Sequence, residues 1–408
     1  MDDILQYMPK MLSGRELDEK LAIFPVYDKN IRGKSSTERL IALQDIYQIF
    51  VPNTMSREIY TKLYLALLRS LQKKKSILAV RQANENSKMI RKQFFESILG
   101  GSDSFTVIGP SGIGKSSAIS RSVNILTEKV VWELSNTKII PCLQVQTPAD
   151  CSIKGLLLEI LRKADEILST NYYKNAIRTH STVDMLIGLA SQVALNHLGL
   201  LIVDEIQNVV NNRSGNTLVG TLTQLINNSG ISLCFVGTPE SAIFFEKEQM
   251  LARRSLGLNY TAMSYDDDFR NFCKAILTYS YVQQDIIVDE AMLFWLYNHS
   301  GGNASVIISL IHDSQEIAIL EGYEKLDISM LNIAFEKRMG MLHNFIKPTV
   351  IKSSPVKKKI SSPITITEKN ILADNISIHQ IAMEAKVSQS DIVSLLRQSG
   401  FKIEEVAI

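Results

Sequence analysis

Residues Gly109-Pro110-Ser111-Gly112-Ile113-Gly114-Lys115-Ser116 spell G-x-x-x-x-G-K-[ST], and the chain on either side restricts how they can fold. Phe105-Thr106-Val107-Ile108 ahead of them is short, apolar and partly β-branched, which predicts a buried strand. Ser117 to Thr127 behind them carries Ile119, Val123 and Leu126 at helical spacing. Strand, glycine loop and helix in that order make the pattern a phosphate-binding loop. The glycines let the backbone curl until its N–H groups face an anion, and the helix N-terminus adds a favourable dipole. Gly109 to Ser116, together with Ser117, are therefore expected to hold the phosphates of a nucleotide. Lys115 would reach the β- and γ-phosphates, and Ser116 would ligate Mg²⁺.

Leu200-Leu201-Ile202-Val203-Asp204-Glu205 is the second signal. Four aliphatics ending in two carboxylates describe a buried strand that delivers acids at its C-terminal tip, the edge where open α/β sheets bind ligands. Asp204 is expected to hold Mg²⁺ directly or through water, and Glu205 to polarise the water that attacks the γ-phosphate. The pair implies hydrolysis of Mg-ATP rather than phosphate binding alone. Ser232 to Thr238 reads as another buried strand, ending in a polar residue and a Gly-Thr-Pro turn. Ala252-Arg253-Arg254-Ser255 is a basic helix end just ahead of the last expected strand. Arginine is always charged and grips phosphate oxygens as a fork. Only one of Arg253 and Arg254 need act, and the sequence does not choose between them.

With 408 residues the chain exceeds one typical core, and two or three domains are expected. Residues 1–90 hold a short extended stretch around Pro25 and two helical patterns, the second closed by Lys73-Lys74-Lys75. That triplet fits a solvated helix end and a nucleic-acid contact equally. Residues 91–265 alternate strand and helix, with strands expected at 105–108, 139–146, 199–204, 231–237 and 258–263, which implies a mostly parallel sheet covered on both faces. Residues 266–346 are expected to form a small all-α domain. Residues 347–363, with three prolines and Lys357-Lys358-Lys359, read as a flexible basic linker. Residues 364–408 regain apolar periodicity resembling a helix-turn-helix. Lys386 takes the usual turn-glycine position and the second helix is not strongly basic, so DNA contact and protein docking fit it equally.

A formal net charge of +2 neither demands nor excludes nucleic acid. The four cysteines lack C-x-x-C spacing and read as small core residues. No apolar run reaches the ~20 residues a membrane span needs, and Met1-Asp2-Asp3 does not open a signal peptide. A cytoplasmic protein is expected.

The strand ending at Thr238 resembles the sensor-1 element of AAA+ ATPases, in which that residue touches the attacking water or γ-phosphate. Arg253-Arg254 falls where AAA+ proteins supply an arginine finger to a neighbouring subunit. The sensor-2 position offers Asn303, Ala304 and Ser305 and no arginine. The stretches V-I-G-P-S-G-I-G-K-S-S, P-C-L-Q-V-Q-T-P-A-D-C-S-I-K-G, L-L-I-V-D-E-I-Q-N-V, F-V-G-T-P-E and L-A-R-R together resemble the TnsC/TniB family of transposition regulators, over residues 20 to 345. The resemblance implies an α/β AAA+ P-loop ATPase with a parallel five-stranded sheet, a small α-helical lid domain and a C-terminal helical, HTH-like unit. It implies residues 1–90 as a partner-binding extension. It also implies an ATP- and Mg²⁺-dependent homo-oligomer, a ring or filament on duplex DNA, linking a target-selection protein of TnsD/TniQ type to the transposase. Mapped from that family, Thr147, Ser152 and Lys154 are candidate DNA contacts, with Ser152 equally fitted to cap the helix after it. Two other functions stay open: a replication initiator or helicase loader, and a signalling ATPase whose C-terminal unit is the effector.

Overall fold

The computed structural model describes residues 4–74, 76–91, 104–134, 137–148, 152–210, 215–241 and 257–340. The chain divides into two compact units, 1–350 and 351–408, and the described residues all belong to the first. The linker and HTH-like tail, and Arg253 and Arg254, lie outside the described residues.

A six-stranded sheet forms the centre. Its members are β1 (Phe105–Ile108), β2 (Trp132–Glu133), β3 (Lys138–Gln146), β4 (Leu198–Asp204), β5 (Ser232–Gly237) and β6 (Leu258–Asn259), in the order β2-β3-β4-β5-β1-β6. The five expected parallel strands are present. The sheet gains one member the sequence did not announce, the two-residue β2, antiparallel to β3 at the edge. Two residues are too few to carry a period-2 signal. β6 is shorter than the expected 258–263, because the chain leaves the sheet to meet the helical region, where Met263 N donates to Gly302 O.

β4 reads LGLLIVD and is buried at every position, as a strand covered on both faces must be. Leu201 and Val203 face one core and Leu200 and Ile202 the other. The first core is roofed by α4 (Ile77–Ile90), α6 (Ile153–Leu168), α8 (Val183–His197) and α10 (Gly215–Ser229). The second is covered by α1 (Gly14–Leu21), α3 (Thr54–Lys74) and α5 (Lys115–Leu126). α3 lies on the sheet itself, with Ser232 Oγ donating to Ala66 O at 2.9 Å.

Lys74 departs from both sequence readings of the triplet. Its ammonium donates to Ala194 O at 2.6 Å and to Leu195 O, the carbonyls ending α8. Burial of that head pushes its pKa down to about 7. It is neither a solvated helix end nor free to meet a phosphate.

The helical region consists of α11 (Asp267–Leu277), α12 (Glu290–Ser300), α13 (Ala304–Leu320) and α14 (Ile328–Arg338). Asp266, Asp289, Asn303 and Asp327 each cap one of them by accepting a backbone N–H. Its core also takes in Leu43, Ile46 and Ile49, from α2 (Ser36–Leu43) and the turn after it. Buried Arg39 on α2 clasps Glu324 through both guanidinium ends, at 2.5 and 2.6 Å, and donates to Tyr281 O. The N-terminal segment therefore packs on the sheet with α1 and α3 and on the helical region with α2. The remaining helices are α7 (Tyr172–Arg178) and α9 (Gln207–Val210).

Candidate functional site

Parallel register brings the chemistry to one edge. Ile108 pairs with Gly237 and Val203 with Phe235, so the phosphate loop, Thr238 and Asp204 all leave the sheet at the C-terminal ends of adjacent strands. Between them lies a cavity of ≈ 290 Å³, lined by Ser111, Gly112 and Gly114 to Ser117 of the loop and by Asp204, Glu205, Thr238, Gln207 and Ser305.

Gly112 and Gly114 adopt φ of +82 and +95, conformations that curl the loop around the cavity. Lys115 Nζ donates to Gly109 O at 2.6 Å and Pro110 O at 2.8 Å. Burial lowers the pKa of this lysine, while Asp204, Glu205 and Glu240 oppose the shift. Ser116 Oγ stands 3.4 Å from Asp204 Oδ2, and Gln144 Nε2 reaches the same carboxylate oxygen at 3.4 Å. A hydroxyl and a carboxylate side by side form an all-oxygen donor set, which suits a hard cation such as Mg²⁺.

Glu205 follows Asp204 at φ +59, a rare conformation for a residue with a side chain, and its Oε2 accepts from Gln207 Nε2. Thr238 hydrogen-bonds the Glu240 carboxylate and holds it below its usual pKa range. The sensor-2 position, which offers no arginine in this sequence, contributes Ser305 to the cavity wall. It also sends Asn303 Nδ2 to Ser111 O at 2.8 Å and Ser305 N to Gly112 O at 3.0 Å. These bonds seat the N-terminus of α13 on the phosphate loop.

A Cβ at residue 112 would lie 2.4 Å from Ser305 Oγ and 2.6 Å from Asn303 Oδ1, in a strained conformation. Gly112→Ala is therefore expected to cost about 1–3 kcal/mol in this loop. Nucleotide affinity should weaken about tenfold or more, read by titration with a fluorescent ATP analogue. Unchanged affinity would mean that the loop and α13 separate before nucleotide binds.

A second cavity of ≈ 390 Å³ takes Ile113 of the same loop into its wall. Pro52 and Met55 line it from the start of α3, Tyr260 from beyond β6, and Phe272 and Ala304 from the helical region. Sequence reasoning missed this cavity, because its walls come from three distant segments with no shared motif. It also gave Gln207 no role, although D-E-I-Q stood out as a stretch.

The three candidate DNA contacts fare differently. Thr147 is buried, and both its N–H and hydroxyl donate to Asp204 O, at 2.9 and 3.0 Å. Its side chain is turned into the fold, where it ties the end of β3 to that of β4. Ser152 Oγ accepts from Gly155 N at 3.1 Å and caps α6. Lys154 is exposed on the first turn of that helix. Cys142, Cys234 and Cys273 are free thiols, with burial raising the pKa of each and bringing Cys142 and Cys273 to about 12, as core residues require. No described helix is long and apolar enough to cross a membrane.

Residues 96–242 match the family model of the AAA domain. No curated protein matches the chain. Similar solved structures include the Aeropyrum pernix ORC1 protein in complex with DNA, at 15% identity over 63% of this chain with TM-score 0.43. The match spans 63% of that protein, under two thirds of its length. Drosophila ORC bound to DNA shares 12% identity over 97% of this chain and 85% of its own, with TM-score 0.45. Domain III of the Thermotoga maritima replication initiation protein DnaA shares 12% identity over 67% and 94%, with TM-score 0.37. The fold follows from the matched domain and the sheet. Together these give the chain an α/β AAA+ P-loop fold.

Proposed function

We propose that this AAA+ chain hydrolyses Mg-ATP in a homo-oligomer, a ring or filament assembled on duplex DNA. In that assembly it regulates transposition by joining a target-selection protein of TnsD/TniQ type to the transposase. The observation that carries the ATPase reading is the convergence of Lys115, Ser116, Asp204, Glu205 and Thr238 on one cavity at the strand ends. Loop N–H groups and Lys115 bind the phosphates; Ser116 and Asp204 would hold Mg²⁺. The ion, when bound, neutralises phosphate charge. Glu205 accepts a proton from the attacking water and Thr238 orients that water. The second cavity receives the base and ribose, with Met55, Ile113 and Phe272 supplying apolar cover. Arg253 or Arg254 would complete the site of a neighbouring copy.

The transposition reading is supported by the resemblance of Q-V-Q-T-P, D-E-I-Q-N and G-T-P-E before A-R-R to stretches of TnsC/TniB proteins. Electron microscopy of the full chain with ATP, with and without random-sequence duplex, tests the proposal. DNA-coated rings or filaments on any sequence are the expected result. Binding confined to one sequence favours a replication initiator, and assembly indifferent to DNA overturns the DNA-scaffold reading. Lys154→Ala is expected to lower the slope of log affinity against log salt by about one, read by anisotropy titrations. An unchanged slope removes Lys154 from the interface.

A further inference from the structure

We propose that Gln207 is a positioning residue that fixes Glu205 against the tip of β5, so that the base and Thr238 are set as one unit. The inference rests on the reading of Glu205 as the base in ATP hydrolysis. β4 ends at Asp204, and the chain turns at Glu205 through a left-handed conformation. For a residue with a side chain such a conformation is strained and persists only where the surroundings impose it. Here the surroundings are specific. Asp204 Oδ1 accepts from Glu205 N at 2.8 Å, and Ile206 N donates to Val236 O at 3.0 Å, stitching the turn to β5. Gln207 then spans the two candidate catalytic groups. Its Oε1 accepts from Thr238 N at 3.3 Å, and its Nε2 donates to Glu205 Oε2.

The two partners settle which end of the amide faces which. A backbone N–H only donates and a carboxylate only accepts, so the oxygen must face Thr238 and the nitrogen Glu205. No other side chain of similar length meets both demands. Glutamate accepts from Thr238 N but repels Glu205, and methionine offers neither bond. The approach also needs Gly237: a Cβ there would lie 3.2 Å from Gln207 Oε1 and 2.7 Å from Ile206 Cγ2. Gln207 lines the phosphate cavity between the two groups it connects. Its side-chain hydrogen bonds go to Thr238 and Glu205 rather than to the phosphate loop or to the Ser116–Asp204 pair, so its removal is expected to spare binding and misplace the base.

Steady-state ATP hydrolysis by the full chain, with saturating Mg-ATP and duplex DNA, tests this. Gln207→Ala is expected to lower kcat about ten- to a hundredfold, the scale of a base displaced by an ångström or less, with KM within about twofold and an unchanged melting temperature. Gln207→Glu, which keeps size and the Thr238 bond, should fall as far. If Gln207→Ala melts early, Gln207→Glu decides. The double variant Glu205→Gln/Gln207→Ala should be no slower than Glu205→Gln alone, because a residue that acts through Glu205 has nothing left to position. Parental kcat in Gln207→Ala, a loss confined to KM, or losses that multiply in the double variant each overturn the proposal. If Glu205→Gln itself hydrolyses ATP at the parental rate, the reading of Glu205 fails first and this inference with it.

Discussion

Glu205→Gln is expected to abolish most turnover and keep nucleotide binding. General-base catalysis contributes about 10²–10⁴-fold, and the amide cannot accept the proton from water. The replacement is nearly isosteric and its oxygen can still accept from Gln207 Nε2, so the left-handed turn at residue 205 is retained. On the proposed reading, binding depends on other groups: the curled loop, Lys115, and the Ser116–Asp204 pair. Affinity for ATP should therefore hold within about twofold, on the rule that a group acting only in the transition state spares ground-state binding. Phosphate release and sedimentation read the two halves of the prediction. Hydrolysis should fall, and ATP-dependent assemblies should last longer than those of the parent. A variant that turns over at the parental rate would remove Glu205 from the mechanism.

Arg39→Ala is expected to destabilise the first unit by about 3 kcal/mol, the range for breaking a buried ion pair from one side. The Arg39 side chain is 2% exposed and that of Glu324 18%. Truncation leaves the Glu324 carboxylate with only the longer bond from Gln283 N and leaves Tyr281 O without its guanidinium donor. Arg39→Lys should recover only part of the loss, since one ammonium cannot reproduce the fork. The pair also predicts a pH dependence. The bond from Arg39, helped by its charge, holds the Glu324 pKa below the ordinary carboxylate value. A depressed folded-state pKa contributes stability that is complete above the unfolded value of about 4.3 and is lost as pH falls through the folded value. The gap between parent and Arg39→Ala should therefore be full at neutral pH and shrink in acid. Urea midpoints measured at neutral and acid pH check both statements. A difference under about 0.5 kcal/mol at neutral pH, the scale of an ordinary surface change, would show the pair to be neutral.

Much of the candidate site was legible because its signals are local. A strand, a glycine loop and a helix occupy consecutive residues, and β4 announces itself as aliphatics followed by two acids. Four helices of the 266–346 region were equally legible from their periodicity, and Ser152 from its capping position. Gln207 follows a sharp turn, where no periodicity assigns a direction. Thr147 looks the same in sequence whether its hydroxyl faces a phosphate or Asp204 O.

The sequence by itself determined which residues could handle phosphate and the order in which strands would deliver them, because both depend on neighbours a few positions away. Only the tertiary structure decided who touches whom across that order. Arg39 meets Glu324 across 285 residues, and Lys74 turns from a basic run into the end of a helix 120 residues on. α13 also brings Ser305, rather than an arginine, to the phosphate loop. Such contacts are set by how packed layers fit together, and no local pattern of charge or hydrophobicity encodes that fit.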